Sequence, residues 1–150
     1  MVSHYFGNRE ALVDAMTQRI IDTFDTYKNE ALTQLEEAAT VGDLVEIFHA
    51  HQQNSTERTE ILWAEISAYA MRSQTVRDRL RRSYDKMFQA VGEVLEREYP
   101  DVPKHQLQTA AYTVTILIDR SPMLEWLGIE GSPINSAKAA IEAVLEDLKC

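Results

Sequence analysis

The sequence predicts an all-α protein, a bundle of about six helices, on three observations. Apolar residues recur at steps of three and four along almost the whole chain, the spacing that lays one stripe down a 3.6-residue helix. Only five glycines and four prolines interrupt the pattern, and they cluster late. At 150 residues and 45% hydrophobic, the chain suits one globular domain with a substantial core.

The elements follow in order. Gly7 ends one segment and Asn8 caps the next with its side-chain oxygen. Leu12, Met16, Ile20, Phe24, Tyr27, Ala31 and Leu35 then share a stripe on a helix of almost thirty residues that ends before Val41-Gly42, on the order of 40 Å at 1.5 Å per residue. Asp43 is the expected cap of a second helix, with Leu44, Ile47 and Phe48 inward, closing near Gln52-Gln53-Asn54-Ser55. A third begins with Ser55 or Thr56 as cap and carries Ile61, Leu62, Trp63, Ile66, Tyr69 and Ala70. The fourth runs from about Gln74 to Tyr99, where Pro100 stops it, and buries Val76, Leu80, Tyr84, Met87, Phe88, Val91 and Leu95.

Pro103 opens a fifth helix that is apolar nearly all round between Leu107 and Ile118. A helix without a wet face needs cover on two sides, one of them supplied by a partner. Pro122 is expected to break this helix. Ser132 is the expected N-cap of the sixth, with Pro133 in its first position and Ile134, Ala137, Ile141, Val144, Leu145 and Leu148 on one stripe. The small residues Ala137, Ala140 and Ala143 permit close helix approach, so the last two helices of two chains are expected to pair in an isologous interface using Ile116, Ala137, Ala140, Ile141, Val144 and Leu148. The alternative is a monomer whose last helix closes its own core.

Several chemistries find little support. A net charge of −9 opposes binding to phosphates. The basic cluster Arg77, Arg79, Arg81 and Arg82, interleaved with Asp78 and Asp85, reads as a solvated helix face. His49 and His51 lie about 200° apart around a helix and cannot share a metal, and no other ligand set is present, so neither metal nor cofactor is expected. Glu36 and Glu37 read as solvating residues, and the single cysteine, Cys150, as a free terminal thiol. No phosphate loop or nucleophile elbow appears; burial of Glu65 beside Trp63 would make it the one acid–base candidate. No signal peptide is visible, and the longest apolar run, Ala110 to Ile118, is interrupted by two threonines, so a cytoplasmic protein with no membrane partner is expected.

The run Val2-Ser3-His4-Tyr5-Phe6-Gly7-Asn8-Arg9-Glu10-Ala11-Leu12 resembles the junction between recognition helix and connecting helix in TetR-type transcriptional regulators, closest to the branch of the betaine-responsive repressors. A second, more diffuse likeness covers Ile61 to Ser73 and Val76 to Leu80, a Trp-bearing helix followed by a short polar turn and an Arg-rich helix. Two departures stand out. Ser3 occupies a position where many members have Tyr, and Asp119 is followed by Arg120, Ser121 and Pro122 where many of this branch read Asp-Gly.

The resemblance implies that residues 1–8 are a remnant of the DNA-reading unit, with Ser3, His4, Tyr5 and Arg9 close to DNA, and that residues 9–150 form a ligand-binding and dimerisation domain. A helix-turn-helix reader needs several tens of residues. Operator DNA is therefore expected to be reached only through a helix-turn-helix absent from this chain. A sensor's ligand would sit among the middle helices, the candidate lining being Phe48, Trp63, Ile66, Tyr69, Tyr84, Phe88, Tyr112 and Leu117. Each of these is also ordinary core material; their density, with several polar-tipped rings, points to a small apolar or aromatic effector. The expected protein is thus a non-enzymatic sensor and homodimer. A headless protein that pairs with full-length regulators, and a small helical enzyme, are the alternatives.

Overall fold

A computed structural model describes residues 7–36, 40–53 and 57–149. The expectations placed on Ser3, His4, Tyr5, Glu37, Cys150 and the Ser55 or Thr56 cap, and on the side chains of Tyr27, Ala31, Leu35, Glu36 and His51, lie outside the described residues. Among those described there are six helices and no strand: α1 (Arg9–Glu36), α2 (Val41–Gln53), α3 (Glu57–Ala70), α4 (Gln74–Glu98), α5 (Lys104–Trp126) and α6 (Pro133–Asp147). None is long and apolar enough to cross a membrane.

Helix ends follow local chemistry. Gly7 has φ +68°, and Asn8 Oδ1 accepts from Ala11 N at 2.8 Å, capping α1 as expected. The cap of α2 is Thr40 rather than Asp43. Thr40 Oγ1 accepts from Asp43 N (3.1 Å) while Asp43 Oδ2 accepts from Thr40 N (3.0 Å), a reciprocal capping box with aspartate in the third position. Ser73 caps α4 by accepting from Val76 N, and Pro100 lies just past the helix's C-cap, Tyr99.

Pro122 does not break α5. A proline removes one backbone donor, but the turns around it are anchored by the buried Ile118 and Ser121, and the helix runs on to Trp126. It stops in a Schellman motif: Gly128, at φ +72°, donates to Glu125 O, and Ile129 donates to Leu124 O. Ser132 takes the N-cap position of α6 in a left-handed conformation (φ 49°), and its side chain does not cap. Glu125 substitutes from the preceding helix, accepting from Ile134 N at 3.3 Å.

The helices enclose two clusters joined along α4. The larger is aliphatic: Val41 and Leu44 of α2, Met87, Val91, Val94 and Leu95 of α4, Leu107, Val114 and Ile118 of α5, and Ile141 of α6. The smaller gathers Ile21 of α1, Trp63, Ile66 and Ala70 of α3, and Val76 of α4, flanked by Phe24, Tyr69, Leu80 and Tyr84. The stripes depart from expectation in two places. On α1, Met16 is 57% exposed while Thr17 and Ile21 are buried. Thr17 goes inside because its hydroxyl donates to Val13 O at 2.7 Å, within its own helix. On α3, Ile61 and Leu62 are exposed, because Trp63, Ile66 and Ala70 at three- and four-residue steps fill the face turned to α4 and α1.

Candidate functional site

Five aromatic rings form a ladder across the bundle. Phe24 of α1 meets Trp63 of α3 edge-on at 4.9 Å between centroids. Trp63 lies 6.4 Å from Tyr84 of α4, and Tyr84 6.2 Å from Phe88 one turn further on. Phe88 stacks on Tyr112 of α5 at 5.6 Å and 15°. Four of the eight residues expected to line a ligand site, Trp63, Tyr84, Phe88 and Tyr112, are rungs of this ladder.

The other four are placed differently. Ile66 and Tyr69 belong to the same cluster as Trp63 but lie outside the ladder. Phe48 is buried in the aliphatic cluster and Leu117 packs against it, so these two fill core rather than the aromatic site. Tyr112 is 60% exposed, a rung at the surface rather than an inner wall.

A polar group sits beside the middle rungs. Tyr84 Oη donates to Asp119 Oδ2 at 2.6 Å, Arg120 Nη2 donates to Tyr84 Oη at 3.1 Å, and Arg120 Nε lies 3.2 Å from Asp119 Oδ2. The Asp119 side chain is only 11% exposed. Burial first, then the charge of Asp119 and its hydrogen bond, hold the Tyr84 phenol well above the ordinary tyrosine range, so Tyr84 stays a neutral donor at any physiological pH. The Asp119-Arg120 step is thus the charged centre of the site.

Thr115 adds an unusual feature. It is fully buried, and its hydroxyl has no hydrogen-bond partner. Standing three residues after Tyr112 and four before Asp119, it shares their face of α5. A buried unpaired hydroxyl is costly, and this one stands on the helix face between a ring stack and an ion pair.

The site is tied to α1 by carboxylates. Asp14 Oδ1 accepts from Tyr69 Oη (2.9 Å) and Ser73 Oγ (3.1 Å), Asp25 Oδ1 accepts from Ser83 Oγ (2.6 Å), and Asp22 pairs with Arg79. The sequence carried a signal for this. Asp14, Ile21 and Asp25, at steps of seven and four, lie on one helical face, which puts acids on the buried stripe of α1. Arg77 of the basic cluster is no mere solvated residue either: its Nε and Nη2 donate to Ala70 O (3.1 Å) and Met71 O (2.9 Å), closing the C-terminus of α3.

Glu65 is exposed, so the burial on which an acid–base role depended is missing. Arg9 is exposed at the first position of α1. Ala137 and Ile141 are buried in this chain, and Val144 and Leu148 pack against its own aliphatic core; the α6 stripe read as a subunit contact therefore closes the bundle itself. Ala140 and Ala143 are exposed and Ile116 is half-buried, leaving small residues on the outer side of α6. No group of three or more potential metal ligands occurs among the described residues.

A second feature adjoins the outer end of the ladder. An open cleft of about 510 Å³ runs between α4 and α5, with Phe88 and Tyr112 at one end and Glu93, Glu96 and Lys104 along its rim. No protein-family model, curated protein or solved structure matches the chain.

Proposed function

We propose that this chain is the effector-sensing and dimerisation domain of a TetR-like transcriptional regulator. The observation that carries the reading is the joining of the aromatic ladder to α1. Phe24 is its first rung, and Asp14, Asp22 and Asp25 dock the same helix onto α3 and α4. A small molecule seated among Trp63, Tyr84, Phe88 and Thr115, with the Asp119–Arg120 pair orienting its polar end, would alter the contacts that hold α1. Coupling of this kind needs only a difference in ligand affinity between two positions of one rigid helix.

The same reading makes α1 the connector to a DNA-reading unit, which its first-turn residue Arg9 would adjoin. Residues 9–150 then act in the cytoplasm as sensor and subunit contact, without catalysing a reaction. A second copy would approach the outer side of α5 and α6, where Ala140 and Ala143 offer little steric bulk.

Native mass spectrometry of the purified chain tests subunit count and retained ligand in one spectrum. The expected result is a dimer carrying additional mass. Tryptophan fluorescence gives the second readout, because Trp126→Phe leaves Trp63 as the sole reporter, inside the ladder. A strict monomer across micromolar concentrations, with Trp63 emission indifferent to a library of aromatic compounds, would overturn the proposal.

A further inference from the structure

We propose that the cleft between α4 and α5 is a binding site for a small arylalkylammonium, one aromatic ring on a short chain ending in a protonated amine, and that Gly92 keeps it open. The inference rests on the sensing reading and adds to it a further site, which adjoins the seat among Trp63, Tyr84, Phe88 and Thr115 only at Phe88, and a ligand class for that site.

Gly92 is the starting observation. It stands in the interior of α4, where glycine weakens a helix relative to alanine. Its usual structural reasons are missing: its φ is not left-handed, and a Cβ added there would meet nothing within 4 Å. Neither a turn nor a close helix approach calls for glycine. What the missing side chain does is leave open the wall of the cleft that α4 supplies.

The lining then selects an occupant. Phe88 and Tyr112 stack at one end of the cleft, and the exposure of Tyr112 offers ring surface to a ligand. A volume of about 510 Å³ lies in the range of sites for molecules of one or a few rings. Charge distinguishes among them. The cleft carries two carboxylates, Glu93 and Glu96, against one ammonium, Lys104, which pairs with Glu96 at 3.6 Å. The surplus carboxylate is Glu93, held by Gln89 Nε2 donating to its Oε1 at 2.9 Å. On a chain of net charge −9, an anion is repelled from this rim. A cation is attracted to Glu93 and to the face of an exposed tyrosine.

Isothermal titration of the full chain with phenethylammonium, and with dihydrocinnamate as an anion on the same phenethyl skeleton, tests the proposal. The amine is expected to bind roughly tenfold or more tightly than the carboxylate. Glu93→Gln should weaken the amine severalfold and narrow that preference. Gly92→Leu, which fills the cleft where nothing obstructs the new side chain, should abolish binding, and Tyr112→Ala, at an exposed position, should weaken it even if the leucine variant folds poorly. Failure of the amine to bind, equal binding of both compounds, or binding indifferent to both Gly92→Leu and Tyr112→Ala would overturn the site. If the amine binds in a Gly92-dependent way while the chain is a strict monomer and Trp63 emission answers neither the amine nor the library of aromatic compounds, the site stands and the sensing reading falls. If Gly92→Leu and Tyr112→Ala both still bind the amine undiminished and Trp63 still responds, the sensing reading stands and this site falls.

Discussion

Along α4 the buried face changes character. From Met87 onward it contributes Met87, Val91, Val94 and Leu95 to a cluster whose other members are also almost all aliphatic. Before Met87 it contributes Val76 and the polar-tipped Ser83 and Tyr84 to a cluster bound by Asp14, Asp25 and Asp119. Aliphatic burial is non-directional, and its worth scales with area removed from water. A cluster held by hydrogen bonds to carboxylates has few acceptable geometries, and each must be satisfied in full. One end of the bundle is therefore held mainly by buried area and the other largely by directional bonds.

The comparison breaks first if the aliphatic cluster does not dominate stability. Leu95 is completely buried, and Leu95→Ala should cost about 2–5 kcal/mol, measured by urea denaturation, with a matching fall in the midpoint. A cost near zero would mean that the two clusters do not divide the work in this way.

Asp119→Ala probes the other end and should cost less, about 1–3 kcal/mol. It leaves the Tyr84 hydroxyl without its acceptor and Arg120 without its carboxylate inside a mostly buried site. The loss should be local. Native-state hydrogen exchange is expected to accelerate around Tyr84 and in α3 more than in the α4 segment from Val91 to Leu95. Uniform acceleration would show that the clusters open as one unit and would remove the contrast.

Much of this division was legible in the sequence. The span of α4 followed from its apolar stripe beginning near Gln74 and from Pro100 at its end, and the ladder's inner rungs from the density of Trp63, Tyr84 and Phe88. What escaped depends on partners remote along the chain. Asp119 acquires its role only when Tyr84, 35 residues away, arrives at its oxygen. Whether Met16 or Thr17 faced inward turned on a hydroxyl folding back to Val13 O, and the run Ile61-Leu62-Trp63 offers apolar residues on every side, so only tertiary packing chooses among them. Pro122 stays inside α5 because the packing on either side of it outweighs a local penalty of about 3 kcal/mol, and that packing is not written in the residues next to it. The α6 stripe was legible as buried, but periodicity cannot say whether the covering surface belongs to the same chain.

Alkaline titration sharpens the contrast through one group. Because the folded-state pKa of Tyr84 lies above its unfolded value near 10, the unfolded chain releases this proton first as pH rises. The unfolded state then binds fewer protons than the native one, so stability contributed by Tyr84 is complete below about pH 10 and declines above it, by at most about 1.4 kcal/mol per pH unit. Tyr84→Phe should remove that part of the slope between about pH 10 and 11 while leaving the part due to other tyrosines, as followed by urea midpoints in both proteins. An unchanged slope would mean that the phenol is not held neutral by its surroundings.

The smallest effect is expected at the seam between the clusters. Thr115 stands on the Tyr112–Asp119 face of α5, next in the chain to Val114 and three residues before Ile118 of the aliphatic cluster, and its hydroxyl is buried without a partner. If the seam belonged to the aliphatic cluster alone, that hydroxyl would be a pure loss, and a valine of nearly the same shape would serve better. Thr115→Val should accordingly raise stability by about 1 kcal/mol in the ligand-free protein, since it removes a desolvation cost and breaks no bond. The sensing reading adds a second consequence that opposes the first: the stabilised variant should respond less to any effector whose polar atom meets Thr115, as read from Trp63 emission. Greater stability with an unaltered response would assign Thr115 to the core and confine recognition to the Tyr84–Asp119–Arg120 group. Greater stability with a weakened response is the trade expected of a residue kept polar for its ligand.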